Sequence, residues 1–153
     1  MFSKRPFTLT DESALQIAKI INDFLFDSMI VDFPEIKVVT YGQFCKLYQF
    51  YEMTYCNKLK QNIIFPKNKF LGTHYVTIEN DLDELTPTTP LEYSHKIIMM
   101  NLDKLKFRSF IMNAASICHE MIHEYDRQFG DGENVDRYCV ATQQDPNKYS
   151  HRT

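Results

Sequence analysis

The feature that most constrains this chain is an apolar spacing in its last third. From Leu102 onward, Phe107, Phe110, Ile111, Ala114, Ile117, Cys118, Met121, Ile122 and Tyr125 recur at intervals of three and four residues, which is the period of an amphipathic helix. The pattern predicts one long helix that stops before Gly130 and Gly132, since glycine suits a helix end. Such a helix needs its apolar face covered by the rest of the chain.

The upstream residues supply candidates for that cover. In TLTDESALQIAKIINDFLFDSMI, Thr8 or Thr10 can cap a helix, and Asp11 and Glu12 suit the positive end of its dipole. Leu15, Ile17, Ala18, Ile21, Leu25 and Met29 then keep a helical period, which predicts a helix over 11–28. After Pro34, EIKVVT reads as a short strand. Residues 41–60 fit two descriptions. Phe44, Leu47, Tyr48, Tyr51, Tyr55 and Leu59 have helical spacing, with Thr40 and Gln43 placed as a capping box. The aromatic richness equally suits a strand pair; helix is the preferred expectation. NIIFPKNKF reads as a turn around Pro66 and Asn68, and DLDELTPTTPLEYS as a loop fixed by Pro87 and Pro90. THYVTIEN alternates as a strand, with His74, Val76 and Ile78 on one face and Tyr75, Thr77 and Glu79 on the other. HKIIMMN reads as a second strand. No repeat, low-complexity tract or long linker divides residues 1–153, so the expectation is a single α+β domain.

Composition excludes several classes. At 44% hydrophobic and 24% charged residues the chain is globular rather than disordered. A net charge of −3 with pI near 5.9 argues against a nucleic-acid binder, which shows a basic domain or stripe. The basic patches Lys4–Arg5, Lys58–Lys60 and Lys104–Arg108 are small and read as solvated faces. Cys45, Cys56, Cys118 and Cys139 form no CxxC pair, which excludes a zinc site built from cysteines alone. MFSKRPFTLTDE has no apolar signal region, and no apolar run approaches the ~18 residues of a membrane span. The expectation is a cytoplasmic protein of a reducing compartment, with free thiols and no membrane partner.

The chemistry lies in CHEMIHEYDRQF, the last third of the long helical pattern. Four residues along an α-helix turn about 40° and rise about 6 Å, so His119 and His123 project side by side. They can share one Zn²⁺ through imidazole nitrogens. Glu120 is turned about 100° from His119. It can stand beside the metal without binding it, where a base for an attacking water belongs. A solvated helix face can carry the same five letters by chance. Ile117, Cys118, Met121 and Ile122 flank the motif with apolar residues, however, and predict a largely buried helix. Cys118 is expected on the apolar face with Ile122, away from any metal.

A catalytic zinc needs a further protein ligand. Downstream candidates are Asp131, Glu133, Asp136 and His151. Imidazole is the commoner partner for this ion, and His151 is the only histidine after the motif. The acidic residues of DGENVD read as a solvated loop. His74 and His95 read as partly exposed sheet residues.

In its order of elements and in HEMIHEY, the chain resembles the SprT-like (Spartan-type) zinc metalloprotease domain. The resemblance implies a zincin-like fold: an N-terminal helix, a small mainly antiparallel sheet, a long HExxH helix and a C-terminal ligand loop. It implies zinc ligands at His119, His123 and His151, the catalytic glutamate at Glu120, and a protein or peptide substrate; an exposed edge strand, THYVTI or HKIIMM, is expected to hold an extended peptide by strand addition. Departures stand beside it. Arg152, not glycine, follows His151, and the segment from His123 to His151 is longer than in that family. Thr153 comes before the family's closing helix, so the expectation is a truncated or divergent member. The family's basic DNA-binding tail has no counterpart, so nucleic acid as a partner is implied by resemblance and opposed by charge. The rival expectation is a non-catalytic interaction subunit that keeps the fold and the zinc.

Overall fold

A computed structural model of the protein describes residues 7–59, 70–79 and 92–130. The element order is α1 (Asp11–Leu25), β1 (Glu35–Val39), α2 (Tyr41–Leu59), β2 (Gly72–Ile78), β3 (Tyr93–Asn101), α3 (Leu102–Leu105) and α4 (Phe110–Phe129). The architecture is α+β. The turn expected at Pro66 and Asn68, the loop at Pro87 and Pro90, Cys139 and the C-terminal ligand loop all lie outside the described residues.

The sheet has the order β1-β3-β2. β1 runs parallel to β3 and β2 antiparallel to it, so the sheet is mixed rather than mainly antiparallel. Alternation within a strand records which face a side chain takes and carries no sign of the neighbour's direction. Because β3 is central, HKIIMM is flanked on both sides and offers no free edge; an edge role is left to β2.

The run Ile97–Met100 shows why β3 takes the centre. Ile98 and Met100 pack with Ala14, Ile17 and Ala18 of α1 and with Ile117 and Met121 of α4. Ile97 and Met99 point the other way, to Phe44 and Tyr48 of α2 and to Tyr75. A strand covered on both faces reads as a continuous apolar run. Helices α1 and α4 thus share one face of the sheet, and α2 covers the other.

Helix α1 begins as expected. The Thr10 hydroxyl accepts from the Ser13 amide at 3.1 Å, and Ser13 Oγ accepts from the Thr10 amide at 2.9 Å. It stops at Leu25, three residues earlier than the spacing predicts. The cause is local: Asp27 and Ser28 take left-handed backbone, with φ 50° and 59°. The buried Asn22 then clamps the returning chain, donating to the Ile30 carbonyl at 2.8 Å and accepting from its amide at 3.0 Å.

The single helix expected from Leu102 is two. α3 ends at Leu105, and α4 starts afresh behind Ser109, whose Oγ accepts from the Met112 amide at 3.4 Å. Phe107 falls in the break and is exposed. The buried side of α4 is Asn113, Ser116, Ile117, Glu120, Met121, Glu124 and Arg127, a stripe more polar than apolar. Ile122 is 51% exposed, and Cys118 is half-buried. The apolar flank expected around the motif is therefore only half right: Ile117 and Met121 are core, and Ile122 faces solvent. Among the described residues no helix is long and apolar enough to cross a membrane.

Truncating Ile117 to alanine should cost about 2–5 kcal/mol, because a fully buried aliphatic leaves a cavity. The same change at Ile122 should stay within about 0.5 kcal/mol. Urea unfolding of the two variants checks the contrast, and equal losses would contradict this orientation of α4.

Candidate metal centre

On α4, His119 and His123 stand one turn apart with their Nε2 atoms 3.3 Å from each other and their rings edge to face at 80°. Two nitrogens bound at ~2.0–2.1 Å to one tetrahedral ion stand about 3.3–3.4 Å apart. The pair therefore has the spacing that a shared zinc ion demands. His119 is exposed and His123 half-buried, so the point between them is open to solvent on one side.

Glu120 turns inward. It is 6% exposed, and among the described residues nothing hydrogen-bonds its carboxyl. Burial pushes that carboxyl up from 4.5 to about 8, since an apolar setting disfavours the charged form. One turn further, Glu124 is completely buried but fully served. Its Oε2 is met by His74 Nε2 at 2.5 Å and by Arg127 Nε at 3.2 Å. Its Oε1 accepts from Gln128 Nε2 at 2.7 Å and from an Arg127 guanidinium N–H, with Lys96 Nζ at 3.8 Å. Burial alone would raise this carboxyl; the hydrogen bonds and charges of His74 and Arg127 outweigh it and hold it down at about 2. Lys96 continues the chain of contacts to Asp32, whose carbonyl it meets at 2.9 Å.

His74 comes from β2 and is more involved than its sequence position suggests. Its side chain is only 10% exposed, and its ring lies nearly parallel to that of His123 with centroids 6.4 Å apart. His95 matches the sequence expectation of a partly exposed sheet residue; it faces Glu35 at 3.1 Å. Cys45 and Cys118 are free thiols, and burial raises the Cys118 thiol.

Among the described residues no group of three potential ligands converges. His119 and His123 are brought together. Asp131, Glu133, Asp136 and His151 lie outside the described residues. Sequence reasoning missed Glu124 and the environment of His74. The signal available was weak: an imidazole on the same strand face as Val76 and Ile78, and a second glutamate four residues after Glu120. No family model matches the chain, and no curated protein or solved structure matches it significantly.

Removing Glu124 strands His74 and Arg127 in a buried site, so Glu124→Ala should cost about 3–5 kcal/mol. The sign of the pH effect follows from the lowered carboxyl. Its stabilisation is complete above about 4.5, the ordinary value, and is lost as pH falls toward 2. Chemical denaturation at a series of pH values should show the gap between wild type and Glu124→Ala narrowing across that window. A gap that does not change with pH would show that the charge is irrelevant.

Proposed function

We propose that the protein is a zinc-dependent endopeptidase in which His119, His123 and His151 hold the metal and Glu120 is the general base. The observation that carries this is the 3.3 Å separation of the two Nε2 atoms, matched to one ion, with the buried Glu120 next to His119 in the chain. The donor set fits as well: imidazoles are the usual ligands of a catalytic zinc. Bound there, zinc supplies a Lewis acid and lowers the pKa of water toward neutrality.

The chain's own residues do the rest. Glu120 takes a proton from the water that attacks the scissile carbonyl, and delivers it to the leaving amine. One residue from His119 on α4, it would serve a metal held by the histidine pair as a base and not as one of its proposed ligands. β2 is an edge strand within the described sheet, so an extended peptide could add along it through main-chain hydrogen bonds. A protein or peptide substrate is therefore favoured over nucleic acid, which the net charge of −3 does not attract.

Purified protein should carry one zinc per chain by elemental analysis. His119→Ala, His123→Ala and His151→Ala should each lose it. Glu120→Gln keeps the shape and the ligands; it should retain zinc while cleavage of casein falls by ~10²–10⁴-fold. Zinc-free wild type would remove the basis of the proposal. Cleavage that survives in Glu120→Gln would show that another group is the base. A zinc-loaded wild type that cleaves nothing would favour the fastening role of a non-catalytic subunit.

A further inference from the structure

We infer that the protein pairs with a second copy of itself through the outward face of α4, the two helices lying antiparallel. The pairing does not depend on the peptidase reading. Along α4, Ile111, Ala115, Cys118, Ile122, Tyr125 and Phe129 follow one another at steps of four, three, four, three and four. A repeat of 3.5 residues forms a continuous apolar seam, the spacing by which one helix packs lengthwise on another. The fold does not bury it. Ile111, Ile122 and Phe129 are 42%, 51% and 43% exposed, Ala115 is exposed, and Cys118 and Tyr125 are half-buried. Tyr125 also packs at the margin of the core, stacked on Phe26 at 4.6 Å. The core takes a different stripe of the same helix, from Asn113 to Arg127. A contiguous exposed apolar row on a folded chain marks an interaction surface.

This seam is complementary to itself. Run antiparallel about a two-fold axis midway between Cys118 and Ile122, it sets Ile111 against the partner's Phe129, Ala115 against the partner's Tyr125 and Cys118 against the partner's Ile122. Small residues thus meet large ones, which lets facing layers interdigitate. Charge selects the direction. Arg108 stands just before α4, and Asp126 lies in its last turn. Parallel pairing would set Arg108 beside the partner's Arg108 and Asp126 beside the partner's Asp126, and like charges in an interface cost free energy. Antiparallel pairing instead brings Arg108 to the end of the partner's helix, where the partner's Asp126 and the negative end of the helix dipole lie. Both copies use the same patch, so the assembly closes at two chains. The centre of the seam is about 80° round the helix from His119 and about 120° from His123, which leaves the histidine pair open.

Sedimentation equilibrium over a concentration series should give the wild type a mass about twice the 18.1 kDa of one chain. Ile122→Glu puts a charge at the middle of the seam and leaves the core stripe intact. It should keep the helical circular dichroism of wild type and weaken pairing at least about tenfold. A wild type that sediments as a monomer throughout, or an Ile122→Glu variant that pairs as well as wild type, overturns the inference. A second measurement covers an Ile122→Glu chain that does not fold. In Ile122→Cys, oxidation with diamide should join two chains between the introduced thiol and the partner's Cys118. The doubled band on a non-reducing gel should vanish once Cys118→Ser is added. No such band overturns the pairing, and a band that survives Cys118→Ser overturns the antiparallel register.

Discussion

The buried Glu124 carboxylate decides how α4 sits on the sheet. It is met by His74 from β2 at 2.5 Å, by Lys96 from β3 at 3.8 Å, and by Arg127 and Gln128 from its own helix. Lys96 and Gln128 also reach the Asp32 carbonyl, at 2.9 and 3.4 Å, which ties in the segment before β1. Apolar packing alone would tolerate some rotation of α4 about its axis, because hydrophobic contact is not directional. A carboxylate with both oxygens engaged does not. With Glu120 and Glu124 turned inward, His119 and His123 are carried round by about 100° to the open side. The direction of the histidine pair is thus a consequence of a contact that neither histidine makes with a metal.

That dependence explains which parts of the fold could be read from the residues. Thr10 and Ser13 cap α1 through contacts three residues apart, and Ile97–Met100 announces a strand covered on both faces; both are local patterns. The parallel pairing of β1 with β3 is not local, and period-two alternation is blind to it. The break at 106–109 is hidden for a related reason. Phe107 happens to continue the helical spacing, while the short polar Ser109 restarts the helix by capping it. Hydrophobic periodicity identifies apolar residues. It cannot reveal that Glu120, Glu124 and Arg127 are buried and Ile122 is exposed.

The candidate site divides along the same line. The pairing of His119 with His123 follows from helix geometry over four residues, so it was legible, and their Nε2 atoms stand at the expected separation. The further ligand expected at His151 would depend on a long-range approach that spacing does not encode, and it lies outside the described residues. His74 belongs to the same category. Fifty residues separate it from Glu124, and only the strand order brings the two together.

Glu120 and Glu124 lie one turn apart on the same inward stripe, yet the fold treats them in opposite ways. Glu124 receives donors on both oxygens and is held at about 2, while Glu120 has no donor among the described residues and is pushed up to about 8 by burial. A helix selected only for stability would gain from an apolar residue at the second position, since an unserved buried carboxyl costs free energy. Keeping a carboxyl there makes physical sense if something else meets it in the working state. The metal proposed for the histidine pair would be a candidate partner, since a nearby opposite charge favours the ionised form. The two environments drive these carboxyls in opposite directions, one held ionised by its partners and one pushed up by burial. Among the described residues Glu124 makes the contacts that fasten α4, and Glu120 makes none of them.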